Sequence, residues 1–358
     1  VYFAPVSWLN LAILFGVAGV ITGAAIPIIG RICFRLGLLD MPGEHKRHRF
    51  PTPNLGGVAI FLGFWGAAAV AYHLTPIMAG ELGHSLRYII IGSIIIFVTG
   101  LIDDVSNLSA LVKLMAQIAA GLILYLGGLR ITVLFIPFYG PVGLGLLSLP
   151  ITLVWLVGVT NSINLIDGLD GLAVGVSAIA ALALLFVGIY LQLATVMVFT
   201  AAVMGACLVF LYFNFYPAKI FLGDSGSLFL GYLFAVISIL FPIKSYATAA
   251  VFIPLVALGV PILETVLSFV RRTVTGQKFY VADNRHLFHY LAAWGLTKGQ
   301  VVWMFYALSG VFAVFSGAMF IFDRRAVFTV LVVFMVVILG LLLKLRLAFV
   351  KRNGKDSY

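Results

Sequence analysis

The chain has 358 residues, 63% hydrophobic and 9% charged, with a mean hydropathy of +1.17. Soluble domains carry about 25% charged residues, so this composition excludes a soluble globular enzyme and indicates an integral membrane protein. The net charge is +10, but no basic run is long enough for nucleic acid, and Cys33 and Cys207 stand far apart in apolar surroundings as packing residues, without a disulfide or zinc pattern.

Hydropathy predicts about eleven membrane spans. They fall near 6–30, 54–74, 86–102, 110–127, 149–165, 170–190, 192–213, 225–241, 246–270, 298–321 and 325–348. The first is expected to act as its own insertion signal. Only Gln192 separates the sixth from the seventh. A membrane β-barrel would instead show alternating segments of about ten residues. Residues 127–150 contain Leu129-Arg-Ile-Thr-Val-Leu-Phe135 followed by Gly and Pro, which predicts a small β-hairpin near 128–148 on the outer surface.

Basic residues set the orientation. With the N-terminus outside and the C-terminus cytoplasmic, all of the 22 Lys and Arg except Arg87, Arg130, Lys244, Arg324 and Arg325 face the cytoplasm. The expected fold is therefore an all-α integral membrane protein, one polytopic domain over 1–358. Its polar loops 31–53, 103–110, 161–171, 214–227 and 271–297 then share the cytoplasmic face. No internal repeat is visible, which disfavours an inverted-repeat transporter.

Those loops carry the chemistry. Glu44–Gly57 is a basic juxtamembrane stretch that attracts anionic lipid, shaped by Pro51 and Pro53. Asp103 and Asp104 end the third span as adjacent like charges, and Lys113 compensates one of them at most. A divalent ion, or a phosphate-bearing substrate with its metal, would relieve them. Asn161, Asn164 and Asp167 recur every three residues and share a helix face. Asn164 and Asp167 offer oxygen ligands suited to a hard cation such as Mg²⁺. Gly168 and Gly171 permit a tight turn, and Asp170 reads as an N-cap in the plainer account. Asp224 or Ser225 can cap the eighth span, whose free N-terminal N–H groups would otherwise attract phosphate beside a metal on Asp224. Loop 271–297 holds Arg271, Arg272, Lys278, Asp283, Arg285, His286 and His289, an anion clamp or a membrane-surface loop. Zinc is disfavoured there because no cysteine is near. His73 and His84 receive no role.

In this order, over roughly residues 31–297, the segments resemble the polyprenyl-phosphate N-acetylhexosamine-1-phosphate transferases, within the glycosyltransferase 4 superfamily. The resemblance is nearest to the bacterial undecaprenyl-phosphate GlcNAc-1-phosphate branch. It implies a Mg²⁺-dependent enzyme of the bacterial cytoplasmic membrane, with Mn²⁺ as a substitute, a cytoplasmic active site and a homodimer. The implied substrates are UDP-GlcNAc and undecaprenyl phosphate. By the same resemblance Asp103 and Asp104 match the paired aspartates, and Asn164 and Asp224 the metal residues. Gly168, Leu169, Asp170 and Phe221 match the uridine pocket, with Asn161 and Asn214 as polar substrate contacts. Lys46 and His48 match the basic pair of the first loop. Asp167, His286 and His289 are assigned to catalysis, and Arg271, Arg272 and Arg285 to the substrate. Two positions depart from the branch pattern: Asn107 stands where it has Asp, and Phe288 replaces one His of His-x-His-His.

The resemblance implies attack of the lipid phosphate on the β-phosphorus of UDP-GlcNAc, with Asp103 handling the lipid phosphate. A covalent aspartyl-phosphate is the rival route. The phospho-MurNAc-pentapeptide branch is the alternative enzyme. A secondary transporter is the rival class, disfavoured because the acids lie at span ends and not at the bilayer midplane.

Overall fold

The computed structural model describes residues 6–41, 51–75, 83–136, 139–244, 252–274, 291 and 295–353. Among the described residues, eight helices are long and apolar enough to span a membrane, and three shorter apolar helices accompany them. They match the eleven expected stretches in place and order, and the chain is a multi-pass membrane protein.

Helix α1 (Trp8–Leu36) overruns its predicted end by six residues. Arg31 and Arg35 had suggested a loop, but the helix continues until Gly37 turns left-handed at φ 69° and returns its N–H to the Cys33 carbonyl. A short antiparallel pair then forms between β1 (Leu39–Asp40) and β2 (Thr52–Pro53). Lys46 and His48 lie outside the described residues. Helix α2 (Gly57–Leu74) follows, then α3 (Gly83–Ser106) and α4 (Ala110–Leu126). The predicted hairpin is present as β3 (Val133–Ile136) and β4 (Gly140–Gly143), paired from Val133↔Gly143 to Ile136↔Gly140.

Helices α5 (Ser148–Ile166), α6 (Leu172–Tyr190), α7 (Ala194–Asn214) and α8 (Gly223–Lys244) form the middle of the bundle. The ninth predicted span is two pieces, α9 (Phe252–Ala257) and α10 (Gly259–Val274). Pro261 explains the interruption, since it has no N–H to return to the Ala257 carbonyl. Helices α11 (Lys298–Ile321) and α12 (Arg324–Asn353) close the chain.

Helix α8 is the centre: 94% of its apolar window is buried, and α2, α3 and α5 pack around it. Small residues allow the approach. A Cβ on Gly100 of α3 would lie 2.5 Å from Ser225 Cα, and one on Gly231 of α8 would lie 2.7 Å from Thr160 Cα. The segment before α2 is stitched to the start of α8. Phe221 N–H donates to the Pro53 carbonyl at 2.8 Å, and Gly57 N–H to the Leu222 carbonyl at 2.8 Å. The C-terminal ends of α3, α5 and α7 thus meet the N-terminal ends of α4, α6 and α8 at one end of the bundle. The β3–β4 hairpin joins helices at the other end.

Gly100→Ala should force α3 off α8 and destabilise the fold by about 1–3 kcal/mol, the usual range for overpacking. Thermal unfolding in detergent checks this, and an unchanged midpoint would show that the two helices part freely.

Candidate active site

Asp103 and Asp104 occupy the last turn of α3 but face different partners. Asp104 turns to α8, where its Oδ1 accepts from Asp224 N–H at 2.6 Å and its Oδ2 from Ser225 N–H at 3.1 Å. These amides begin α8 and have no partner within the helix. A carboxylate there also meets the positive end of the helix dipole. Gly223 makes the approach possible: its φ is 73°, and a Cβ would sit 2.6 Å from Asp104 Oδ2. This corrects the expectation that the α8 N-terminus is free for phosphate, because Asp104 already takes two of its amides.

Asp103 turns to α4. Its Oδ2 accepts from Lys113 Nζ at 2.9 Å, and its Oδ1 accepts from Leu108 N–H. Lys113 Nζ also donates to Asp224 Oδ2 at 2.8 Å. Lys113 compensates only one of the adjacent pair, as the sequence suggests, and it also bridges to Asp224, 121 positions from Asp103. All three side chains keep partial access to solvent, at 24% for Lys113, 11% for Asp103 and 27% for Asp224.

Asn164 completes the surroundings of Asp224. Its Nδ2 donates to Asp224 Oδ1 at 3.0 Å and to Ser227 Oγ at 2.9 Å, which leaves Oδ1 as the atom it can offer a cation. Asn161, one turn earlier, forms a reciprocal amide pair with Gln117 of α4, at 2.6 and 3.3 Å. It therefore ties α4 to α5. Asp167 ends α5, with its N–H on the Asn164 carbonyl. Enclosure by protein pushes its carboxyl well above the usual carboxylate range, and the charges of Asp224, Asp104 and Asp170 push it further.

The turn from Asp167 to Gly171 is held from outside. Asp170 does not cap α6; Gly171 does, at φ 79° and without a side-chain bond. Asp170 Oδ2 crosses to accept from Ala218 N–H at 3.1 Å. Asn214, almost fully buried, accepts from Gly171 N–H at 3.0 Å and donates to the Ile220 carbonyl at 2.9 Å. Asp170 and Asn214 thus zip this turn to the stretch that leads to Phe221. Gly168 is exposed, while Leu169 and Phe221 are half-buried. Asn107 sits just past α3 at φ 52°, a left-handed conformation that asparagine tolerates well, which accounts physically for Asn there.

Arg272 is half-buried on α10, and Arg271 precedes it on the same helix. Arg285, His286 and His289, with Lys278, Asp283 and Phe288, lie outside the described residues. Gln117 and Ser227 escaped the sequence reading. Lys113 and Gln117, one turn apart on an otherwise apolar helix, were the available signal.

Among the described residues, no three His, Cys, Asp or Glu side chains group as a ready-made metal cage. Mg²⁺ does not need one, since it is commonly held by one or two carboxylates plus phosphates and water. Asp103 and Asp224, drawn together around an ammonium, with Asn164 beside them, fit that pattern.

A groove of about 540 Å³ runs along α5 between Pro150 and Ser162. Ile262 and Val266 of α10 and Leu255 of α9 form its other wall. Its lining is almost entirely apolar, and it reaches from the hairpin end to within two residues of Asn164.

Residues 86–242 match the model of glycosyl transferase family 4. A Bacillus subtilis protein described as a probable undecaprenyl-phosphate N-acetylglucosaminyl 1-phosphate transferase is 36% identical over 291 residues, spanning 80% of this chain and 79% of the relative. The decaprenyl-phosphate N-acetylglucosaminephosphotransferase of Mycobacterium tuberculosis is 35% identical over 340 residues, or 88% and 84% of the two chains. A phospho-N-acetylmuramoyl-pentapeptide-transferase of Halalkalibacterium halodurans is 30% identical over 326 residues, or 86% and 95%.

Lys113→Met should leave Asp103 and Asp224 facing each other without a cation and lower the melting temperature in metal-free buffer. Millimolar Mg²⁺ should recover part of the loss. A melting temperature indifferent to both changes would show that the bridge contributes nothing.

Proposed function

We propose the following reaction for this chain, which belongs to glycosyl transferase family 4. GlcNAc-1-phosphate passes from UDP-GlcNAc to undecaprenyl phosphate, giving undecaprenyl-diphosphate-GlcNAc and UMP, the first membrane step of a cell-envelope glycan. The observation that carries this reading is the Asp103–Lys113–Asp224 bridge at the loop end of the bundle. The bridge supplies charge handling for phosphates, and the apolar groove along α5 offers a seat for a prenyl chain. The N-acetylglucosamine relatives, at 34–36% identity, favour this donor over the pentapeptide donor, whose relatives reach 29–30%.

Asp224 and Asp103, with Asn164 Oδ1, would hold Mg²⁺ or Mn²⁺. When bound, the ion neutralises charge on the diphosphate and on the leaving UMP. The chain's own residues do the rest. A phosphate monoester has a second pKa near ~6, so the lipid phosphate is largely dianionic at pH 7 and needs orientation more than deprotonation. Asp103, fixed by Lys113 and Leu108, orients it. A lipid phosphate oxygen bonds to the β-phosphorus as the bond to the UMP oxygen breaks, and the electron pair leaves with UMP. Positioning and charge compensation supply most of such catalysis.

Direct attack is favoured over an aspartyl intermediate because both oxygens of Asp104 are engaged by α8 amides, and Asp103 would have to attack a charged phosphate while surrounded by other carboxylates. The turns with Gly168, Leu169, Asp170 and Phe221 would receive the uridine. Lys46, His48, Arg271, Arg272, Arg285, His286 and His289 would contact phosphate and sugar. The site would face the cytoplasm of a bacterial inner membrane, as the distribution of basic residues suggests.

Purified protein should release UMP from UDP-GlcNAc only with undecaprenyl phosphate and Mg²⁺, and EDTA should stop it. Release only from UDP-MurNAc-pentapeptide would move the chain to the other branch, and no release from any donor would refute the reaction. Asp224→Asn should nearly abolish turnover, because it removes charge at the proposed metal position while keeping the shape. Wild-type Mg²⁺ dependence in that variant would exclude Asp224 as a ligand.

A further inference from the structure

Helix α11 lies outside the stretch 86–242 that matches the family, yet one of its side chains reaches the turn before α6. Tyr306 donates its hydroxyl to the Gly171 carbonyl at 2.7 Å. That carbonyl also accepts the first helical bond of α6, from Gly175 N–H at 2.8 Å, so both its lone pairs are used. The N–H of the same residue goes to Asn214 Oδ1 at 3.0 Å. Gly171 brings no side chain to cap α6, and two side chains from other helices hold it instead.

The ring of Tyr306 is seated as well as its hydroxyl. It lies where a Cβ on Gly175 would stand, so that glycine is a socket for the ring. Trp303 meets Tyr306 edge-on at 5.6 Å and Phe215 at 6.2 Å. Phe215 Cδ2 in turn lies 3.4 Å from the position of a Cβ on Gly171. The turn between Asp167 and Gly171 is therefore braced by α11.

We propose that Tyr306 is a positioning residue: it fixes the 167–171 turn against α11 so that Gly168, Leu169 and Asp170 are set to receive the nucleotide sugar. The proposal rests on the nucleotide-sugar reading of the site. Asp103, Lys113 and Asp224 are held by bonds among α3, α4, α5 and α8, none of which passes through Tyr306. Loosening the turn should therefore weaken donor binding and leave the chemical step alone.

The experiment compares Tyr306→Phe and Gly175→Ala with wild type in the full-length protein. Tyr306→Phe removes the bond, and Gly175→Ala expels the ring. Each should raise KM for UDP-GlcNAc by about three- to tenfold, the size expected for losing one hydrogen bond. The kcat and the KM for undecaprenyl phosphate should stay at the wild-type level, because uniform binding is what is lost. Hydrogen exchange at the amides of Gly171 and Leu172 should quicken in both variants. A packing role alone would lower the melting temperature and leave the donor KM in place, and that result overturns the proposal. If wild type releases no UMP, the reaction assigned above falls, while exchange still decides the bracing: quickened exchange in both variants upholds it and unchanged exchange overturns it.

Discussion

The bond between the Asp104 carboxylate and the first amides of α8 organises this protein. Helix α8 is buried along nearly its whole apolar length, so the N–H groups of its first turn need partners from the protein. Asp104 satisfies two of them and complements the helix dipole. One interaction therefore sets the depth and rotation of α8 relative to α3. Because Asp224 is the second residue of α8, the same bond places its carboxylate beside Asp103 and Asn164. Scaffold and chemistry share a single anchor, and Gly100 and Gly223 are glycines because that anchor needs close backbone approach.

Charge near hydrocarbon is costly, and the structure offsets it by pairing acids with specific partners. Asp103 and Asp224 share Lys113, Asp104 has two amides, and Asp170 has an amide from the neighbouring turn. Enclosure and the neighbouring acids Asp224, Asp104 and Asp170 weigh on the Asp167 carboxyl, and its affinity for protons rises accordingly. A site in which one ammonium balances two carboxylates, with further acids close by, retains an appetite for positive charge. That is the physical basis for expecting a divalent cation to arrive together with the phosphates.

Much of the fold was legible because apolar length is a local property. The eleven stretches, the hairpin after Leu129 and the gathering of the turns at 103–110, 161–171 and 214–227 at one end all follow from counting along the chain. The misread boundaries have local causes too. Arg31 and Arg35 do not end a helix, since long basic side chains carry their charge out to water; the left-handed Gly37 ends it. Pro261 was visible, and its missing N–H divides what hydropathy reads as one span. The pairings inside the site were not legible. Nothing local distinguishes an Asp170 that caps its own helix from one that reaches Ala218, 48 positions away. The basic residues from Arg285 to His289, with Lys46 and His48, lie outside the described residues, so their part in the site rests on resemblance.

The paired aspartates show how sequence adjacency misleads. Two neighbouring acids suggest mutual repulsion and a shared ion. Successive residues on a helix, however, point about 100° apart, since 3.6 residues make a turn. At the end of α3 that angle sends Asp104 toward the buried start of α8 and Asp103 toward the solvent-accessible Lys113. One carboxylate is spent on architecture and the other remains on Lys113 with access to solvent. The tasks cannot be exchanged by rotating the helix, because turning Asp104 outward would uncap α8 and move Asp224 with it. The pair is therefore a geometric device: it couples the position of Asp103 to the integrity of the central helix.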